Sequence, residues 1–174
     1  MPKVKIIDEI YFMEFKELQG NYIQTGRLEG ISIRSQRLEP VRKLDQVNAI
    51  ADCGLEGDHY SGPGGTRQVT LIQREHLQAV SRFMGSGDLD FTCTRRNLEV
   101  SGINLLSFKG KKFLIGKVVL EYSGECHPCS RMEQGLGLGG YNAMRGHGGI
   151  TAKIVSGGEI RIGDSVAAFE EPTY

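Results

Sequence analysis

Residues 149–162 read GITAKIVSGGEIRI. Two short runs with β-branched residues, Gly149–Val155 and the alternating Glu159–Ile162, flank Ser156-Gly157-Gly158. Strand-length runs on either side of a glycine turn predict a β-hairpin. The pattern recurs along the chain. GISIRSQR at Gly30–Arg37 alternates at period two, and QVTLI at Gln68–Ile72 follows the turn-forming SGPGGT. Asn97–Val100, Lys112–Ile115 and, after Gly116, Lys117–Tyr122 read as further strands.

Helical spacing is rarer. QREHLQAVSRF at Gln73–Phe83 brings Leu77, Val80 and Phe83 near one face, and Arg131–Arg145 forms at most a short, glycine-interrupted helix. Many short strands between glycine turns predict an all-β fold. It is a mainly antiparallel, closed or partly closed barrel with one or two peripheral short helices, rather than a stack of βαβ units. The barrel is expected over residues 26–174, with residues 1–25 an ordered N-terminal extension of the same domain.

At 174 residues the chain has the length of one domain with a substantial core. Lys and Arg total 21 against 21 Asp and Glu, so no net field draws it to nucleic acid or to an anionic membrane, and any anion affinity must be local. No apolar run reaches the ~18 residues of a membrane span, and the start MPKVKIIDEIYF lacks the pattern of a signal peptide. The expectation is a soluble cytoplasmic protein. Its four cysteines then read as reduced thiols rather than two disulfides.

The segment richest in chemistry is Gly124-Glu125-Cys126-His127-Pro128-Cys129-Ser130-Arg131. Thiolate is the reactive form of cysteine, and neighbouring cations such as His127, Arg131 and His147 lower a thiol's pKa where the fold turns them inward. Three other readings stay open. Cys126 and Cys129 could be small apolar side chains in a turn, half of a zinc site that lacks a second ligand pair, or a thiol–disulfide pair outside its usual βαβ setting.

Gly54-Leu55-Glu56-Gly57-Asp58-His59-Tyr60 permits a sharp turn presenting Asp58 and His59 together. Thr94-Arg95-Arg96-Asn97 places two arginines before an apolar strand, where a strand start puts Arg95 and Asn97 on one face and leaves Arg96 opposite. Arginine forks suit phosphate oxygens. Arg145-Gly146-His147-Gly148-Gly149 is a loop whose glycines let backbone N–H groups approach an anion.

In order, GLEGDHY, RQVTLIQREHL, TRRNLEVSGINL, KVVLEYSGECHPCSRMEQ, RGHGGITAKIVSGG and EIRIGDSV resemble the MOSC family, named for the C-terminal domain of molybdenum cofactor sulfurase, over roughly residues 26–169. The resemblance implies an antiparallel barrel that binds a molybdopterin-type molybdenum cofactor, or handles sulfur destined for it, through one cysteine. Cys129 matches that cysteine, as metal ligand and catalytic thiol, with Cys126 and His127 beside it. In the related mitochondrial amidoxime reducing component an R-x-N element helps hold the cofactor, and Arg95-Arg96-Asn97 is similar to it. Arg95 and Asn97 are therefore expected to contact the cofactor, with Asp58, His59, Arg131 and His147 as further contacts. His59 stands where the family motif G-D-R has arginine, which removes a permanently charged fork.

Three roles follow from the resemblance. The first is molybdenum-dependent reduction of N-hydroxylated small molecules with electrons from a partner protein. The second is carriage of a Cys129 persulfide from a separate cysteine desulfurase to a metal–sulfur cofactor. The third is non-catalytic escort of the cofactor. The pyridoxal phosphate domain that eukaryotic cofactor sulfurases use has no counterpart in these 174 residues.

Overall fold

A computed structural model describes residues 18–37 and 39–170 of the chain. The part of the expected N-terminal extension in residues 1–17 lies outside them. Among the described residues eleven strands run in the order β1 (Gly26–Ile33), β2 (Arg42–Leu44), β3 (Gln46–Ile50), β4 (Gly54–Leu55), β5 (Val69–Gln73), β6 (Leu98–Ser101), β7 (Lys112–Ile115), β8 (Val118–Glu125), β9 (Ile150–Ser156), β10 (Gly158–Arg161) and β11 (Ser165–Ala168). The helices that lie wholly within these residues are α1 (Arg74–Phe83), α2 (Ser130–Leu136) and α3 (Gly140–Ala143). No helix among the described residues is long and apolar enough to cross a membrane.

Seven strands in the order β11-β7-β8-β9-β5-β6-β1 close into a barrel through a β11–β1 pairing, as the alternations predict. Inward residues fill it: Leu28, Leu71, Leu98, Phe113, Leu120 and Ile154 are all fully or almost fully buried. Closure leaves no barrel edge exposed to pair with another chain. The pairings are antiparallel except β5 with β6, which α1 connects as a single βαβ crossover inside the barrel.

The expected hairpin at residues 149–162 does not form. Its two runs are strands, but β10 pairs with β3 in a separate three-stranded sheet, β10-β3-β4, while β9 pairs with β5 and β8. The reason lies at Gly157, where a Cβ would come within 2.6 Å of the Ala49 carbonyl oxygen. The glycine turn therefore serves to press the chain against β3 and send it into the second sheet.

Helix α1 buries Leu77, Val80 and Ser81 rather than the expected Leu77, Val80 and Phe83. Phe83 is 64% exposed, and its ring lies 5.5 Å from that of His147. Leu77 and Val80 join Ile72, Phe91, Met132 and Met144 in a second apolar cluster, which seats α1 and α2 against the barrel.

The loop before β9 is welded to the barrel by its glycines. Gly149 has φ +83, and a Cβ there would lie 1.9 Å from the Leu71 carbonyl oxygen; one at Gly148 would lie 2.0 Å from that of Cys126. Gly146 also has positive φ, +77, but open space around it. Gly146→Ala should therefore lose only the left-handed backbone preference, about 1 kcal/mol, while Gly149→Ala should lose more than about 3 kcal/mol through a backbone clash that no side-chain rotation relieves. Urea unfolding of both variants checks this, and equal losses would refute the close-packing account.

Candidate functional site: an arginine cleft beside two thiols

A cleft of about 280 Å³ opens where β1 ends and β5 and β6 begin, walled on one side by the segment that follows β8. Six arginines line it: Arg34, Arg37, Arg67, Arg95, Arg96 and Arg131. Its lining includes no Asp or Glu, and none of the six makes an ion pair among the described residues. Cys126, His127 and Cys129 share the same wall.

Arg96 organises the floor. It is only 7% exposed, and its Nε donates to Gly148 O (2.9 Å), Nη1 to Thr94 O (2.9 Å) and Nη2 to Cys126 O (3.1 Å). One guanidinium thereby ties the turn before β6, the cysteine segment and the glycine loop together. Strand alternation would have turned Arg96 away from Arg95, but Arg95 ends a 3₁₀ turn in the left-handed region, φ 58, so alternation begins only after it.

Asn97 lines the cleft with its hydrogen-bonding groups engaged in the barrel. Its Oδ1 accepts from Thr70 N (3.0 Å) and Thr70 Oγ1 (2.8 Å), and Nδ2 donates to Ser32 O (3.2 Å). The residue stitches β5 to β1 at the mouth of the cleft. Arg95 Nη2 donates to Arg37 O (3.0 Å), and burial with the nearby charges of Arg34 and Arg131 pushes the Arg95 pKa down. Arg34 is 8% exposed, and its guanidinium carbon lies 5.7 Å from the Tyr60 ring centroid.

The two thiols differ. Cys129 is exposed, at the N-cap of α2. Cys126 is half-buried and anchored by its N–H, which donates to Gly149 O (2.9 Å). Burial pushes the Cys126 thiol pKa up, against the opposing charges of Arg96 and Arg67. For this thiol desolvation outweighs the cationic activation expected from the sequence.

Three expected contacts lie behind the wall. Asp58 is buried, its Oδ1 accepting from Arg34 N (2.9 Å) and its Oδ2 from Tyr60 N (3.3 Å), so it shapes the turn that carries Arg34 and Tyr60. His59 donates its backbone N–H to Arg34 O (2.7 Å), and its ring lies 4.1 Å from that of Tyr60, tilted by 31°. His147 faces α1, its ring 5.0 Å from that of His76. The glycines around His147 let the loop pack closely on the Leu71 and Cys126 carbonyls.

Arg34, Arg37 and Arg67 escaped the reading of the sequence. The signal was present, since Arg34 directly follows the strand GISI and Arg67 directly precedes QVTLI. What makes them a site is that barrel closure brings those strand ends together.

Among the described residues no three His, Cys, Asp or Glu side chains converge as a metal cage. The cleft offers instead one exposed thiol and a cationic surround. That donor set fits an anionic cofactor that brings most of its own metal ligands, the molybdopterin type included.

No curated protein matches the chain at a significant level. Among solved structures, the YUAD protein from Bacillus subtilis has a TM-score of 0.72 and 20% identity, covering 84% of this chain and 98% of its own. YiiM from Escherichia coli has a TM-score of 0.63 and 17% identity, covering 85% of this chain and 72% of its own. YiiM from Geobacillus stearothermophilus has a TM-score of 0.65 and 13% identity, covering 83% and 75%. At these identities the likeness is one of fold. The family profile described as MOSC domain matches residues 56–167, which carry α1, the Arg95-Arg96-Asn97 element, both thiols of the cleft and the welded glycine loop; the chain belongs to the MOSC domain family.

Proposed function

We propose that the chain holds a molybdopterin-type molybdenum cofactor in the arginine cleft, with the Cys129 thiolate as a ligand to the metal, and reduces N-hydroxylated small molecules. The family is linked to molybdenum cofactor binding. The observation that carries the finer reading is the set of six guanidiniums, without a lining carboxylate, around one exposed thiol.

Each residue then has a task. Arg34, Arg67, Arg95 and Arg131 neutralise the cofactor's phosphate, which arginine forks can grip in a bidentate manner. Arg96 is engaged by three carbonyls, so it fixes the floor and contributes its field rather than its hydrogen bonds. Val69, Tyr60 and Met132 supply apolar wall that limits water. His127 is the imidazole among the lining residues and can pass a proton to the departing hydroxyl. When bound, the molybdenum centre supplies the two-electron chemistry: an N-hydroxylamine, two protons and two electrons give an amine and water, the electrons coming from a separate electron-transfer protein.

Cys126, on the same wall, supports a second reading. Cys129 would take a sulfane sulfur from the persulfide of a separate desulfurase, whose own sulfur leaves as thiolate. Cys129 would leave in the same way when the sulfur passes to an acceptor.

Cys129→Ser should cost at least about 100-fold in hydroxylamine reductase activity of the cofactor-loaded protein, because a hydroxyl is a poor ligand for a soft metal. As an exposed substitution it should move stability by no more than about 0.5 kcal/mol. Cys126→Ser should retain most activity. A fully active Cys129→Ser, or equal losses of activity and melting temperature in both variants, would sink the assignment. Reductase-silent wild type that carries a Cys129-dependent persulfide would transfer the case to the second reading.

Alkylation separates the thiols without any cofactor. At pH 7.5 iodoacetamide should modify exposed Cys129 at least about tenfold faster than Cys126, whose burial and raised pKa keep it neutral. The gap should narrow as pH rises toward the Cys126 pKa. Peptide mass spectrometry over time reads both sites, and faster labelling of Cys126 would contradict the geometry.

A further inference from the structure

His76 on α1 and His147 on the glycine loop take no part in the chemistry of the cleft, yet they make a contact of their own. Their rings meet nearly edge to face, 5.0 Å apart and inclined by 80°, and the exposed ring of Phe83 lies 5.5 Å from that of His147. Both histidines are half-buried, and in each the Nδ1 is sealed from solvent with no hydrogen-bond partner among the described residues. Unpaired buried polar atoms are uncommon and costly. A neutral imidazole tolerates this burial best, since its orphaned nitrogen can be the one that carries only a lone pair. An imidazolium does not: both of its nitrogens are donors, and one then lies buried with nothing to accept from it.

The position of the contact gives it reach. The two residues after His147 hold the site, for Gly148 O accepts from Arg96 Nε (2.9 Å) and Gly149 O accepts from the Cys126 N–H (2.9 Å). His147 N–H donates to the carbonyl of Met144 (2.9 Å), a residue of the second apolar cluster. Anything that parts the His147 ring from α1 therefore strains the carbonyls that fix the buried guanidinium and the thiol segment.

The surrounding charges set the direction of the response. Burial, reinforced by His147, lowers the His76 pKa against the opposing charge of Glu75. Glu75 Oε1 accepts from the Gly102 N–H (2.7 Å), and Arg82 on α1 and Arg145 before the loop are exposed cations without an ion pair among the described residues, so neither supplies a counter-charge. With the folded value below the unfolded one of about 6.5, the opened chain takes up the proton more readily. The contact is at full strength above about pH 6.5 and weakens as pH falls below it.

We propose that the His76–His147 contact is a pH-sensitive latch: neutral, it clasps the glycine loop to α1 and keeps Arg96 and Cys126 in register, and protonated, it releases the loop and the thiol wall of the cleft while the barrel stays closed. The latch acts whatever ligand the cleft takes, so it stands or falls apart from the cofactor reading.

Hydrogen exchange on the full chain, read by mass spectrometry at pH 7.5 and pH 5.5 and expressed as protection factors so that the intrinsic pH dependence drops out, tests the latch. Protection of peptides covering residues 124–129 and 145–151 should fall at least about tenfold at the lower pH, the effect of about one unit of pKa difference, while that of β7 holds. His76→Phe and His147→Phe, which keep a ring but cannot titrate, should each abolish the fall, and His147→Gln serves the same purpose where phenylalanine disturbs folding. Unchanged protection in the wild type, a fall shared equally by β7, or a fall that survives in the histidine variants would overturn the latch.

Discussion

The buried guanidinium of Arg96 is the constraint on which the site depends. Burying a charge is costly unless its donors are satisfied, and Arg96 meets that demand with three backbone carbonyls instead of a carboxylate. The choice has two consequences. The three carbonyls belong to Thr94, Cys126 and Gly148, so the arginine turn, the thiol segment and the glycine loop are held in mutual register. Because carbonyls carry no net charge, the positive charge of Arg96 also remains available as a field at the cleft floor, where low dielectric strengthens it.

This explains how a chain of zero formal net charge acquires a cationic pocket. Several of its carboxylates are occupied elsewhere. Glu29 and Glu99 pair with Arg74, Asp52 pairs with Lys153, and Glu133 accepts from the backbone N–H groups of Gly139 and Tyr141. Asp58 is buried beside the turn that carries Arg34 and Tyr60, and its two oxygens accept from the N–H groups of those residues. The segregation of sign makes a small cleft locally cationic without a global field that would attract nucleic acid.

The barrel was legible because its signal is local: period-two alternation punctuated by glycine survives in any strand that lines a core. Lys112–Ile115 is the same strand in sequence and structure, and most others shift by only a few residues. The three-stranded sheet was not legible, since β4 is too short to show a period and β10 chooses β3 over its sequence neighbour through a glycine contact with Ala49. Phe83 misled because helical spacing alone cannot tell which of two adjacent positions a neighbour will cover. The site divides in the same way. Cys126, His127, Cys129 and Arg131 lie together because they are contiguous in the chain, whereas Arg34, Arg37 and Arg67 become a binding surface only through closure of the barrel. Asp58, His59 and His147 carry groups able to do chemistry, yet the first two support the cleft from behind and the third packs on α1.

The central claim, that this cationic, thiol-bearing cleft is a seat for a molybdenum–pterin cofactor, is tested most directly by composition. Protein purified from a molybdate-supplemented host should carry molybdenum and oxidisable pterin in matching, near-stoichiometric amounts, read by elemental mass spectrometry and by fluorescence of the released pterin. Protein that retains neither from that host, and takes up neither when incubated with freshly released cofactor, would contradict the account.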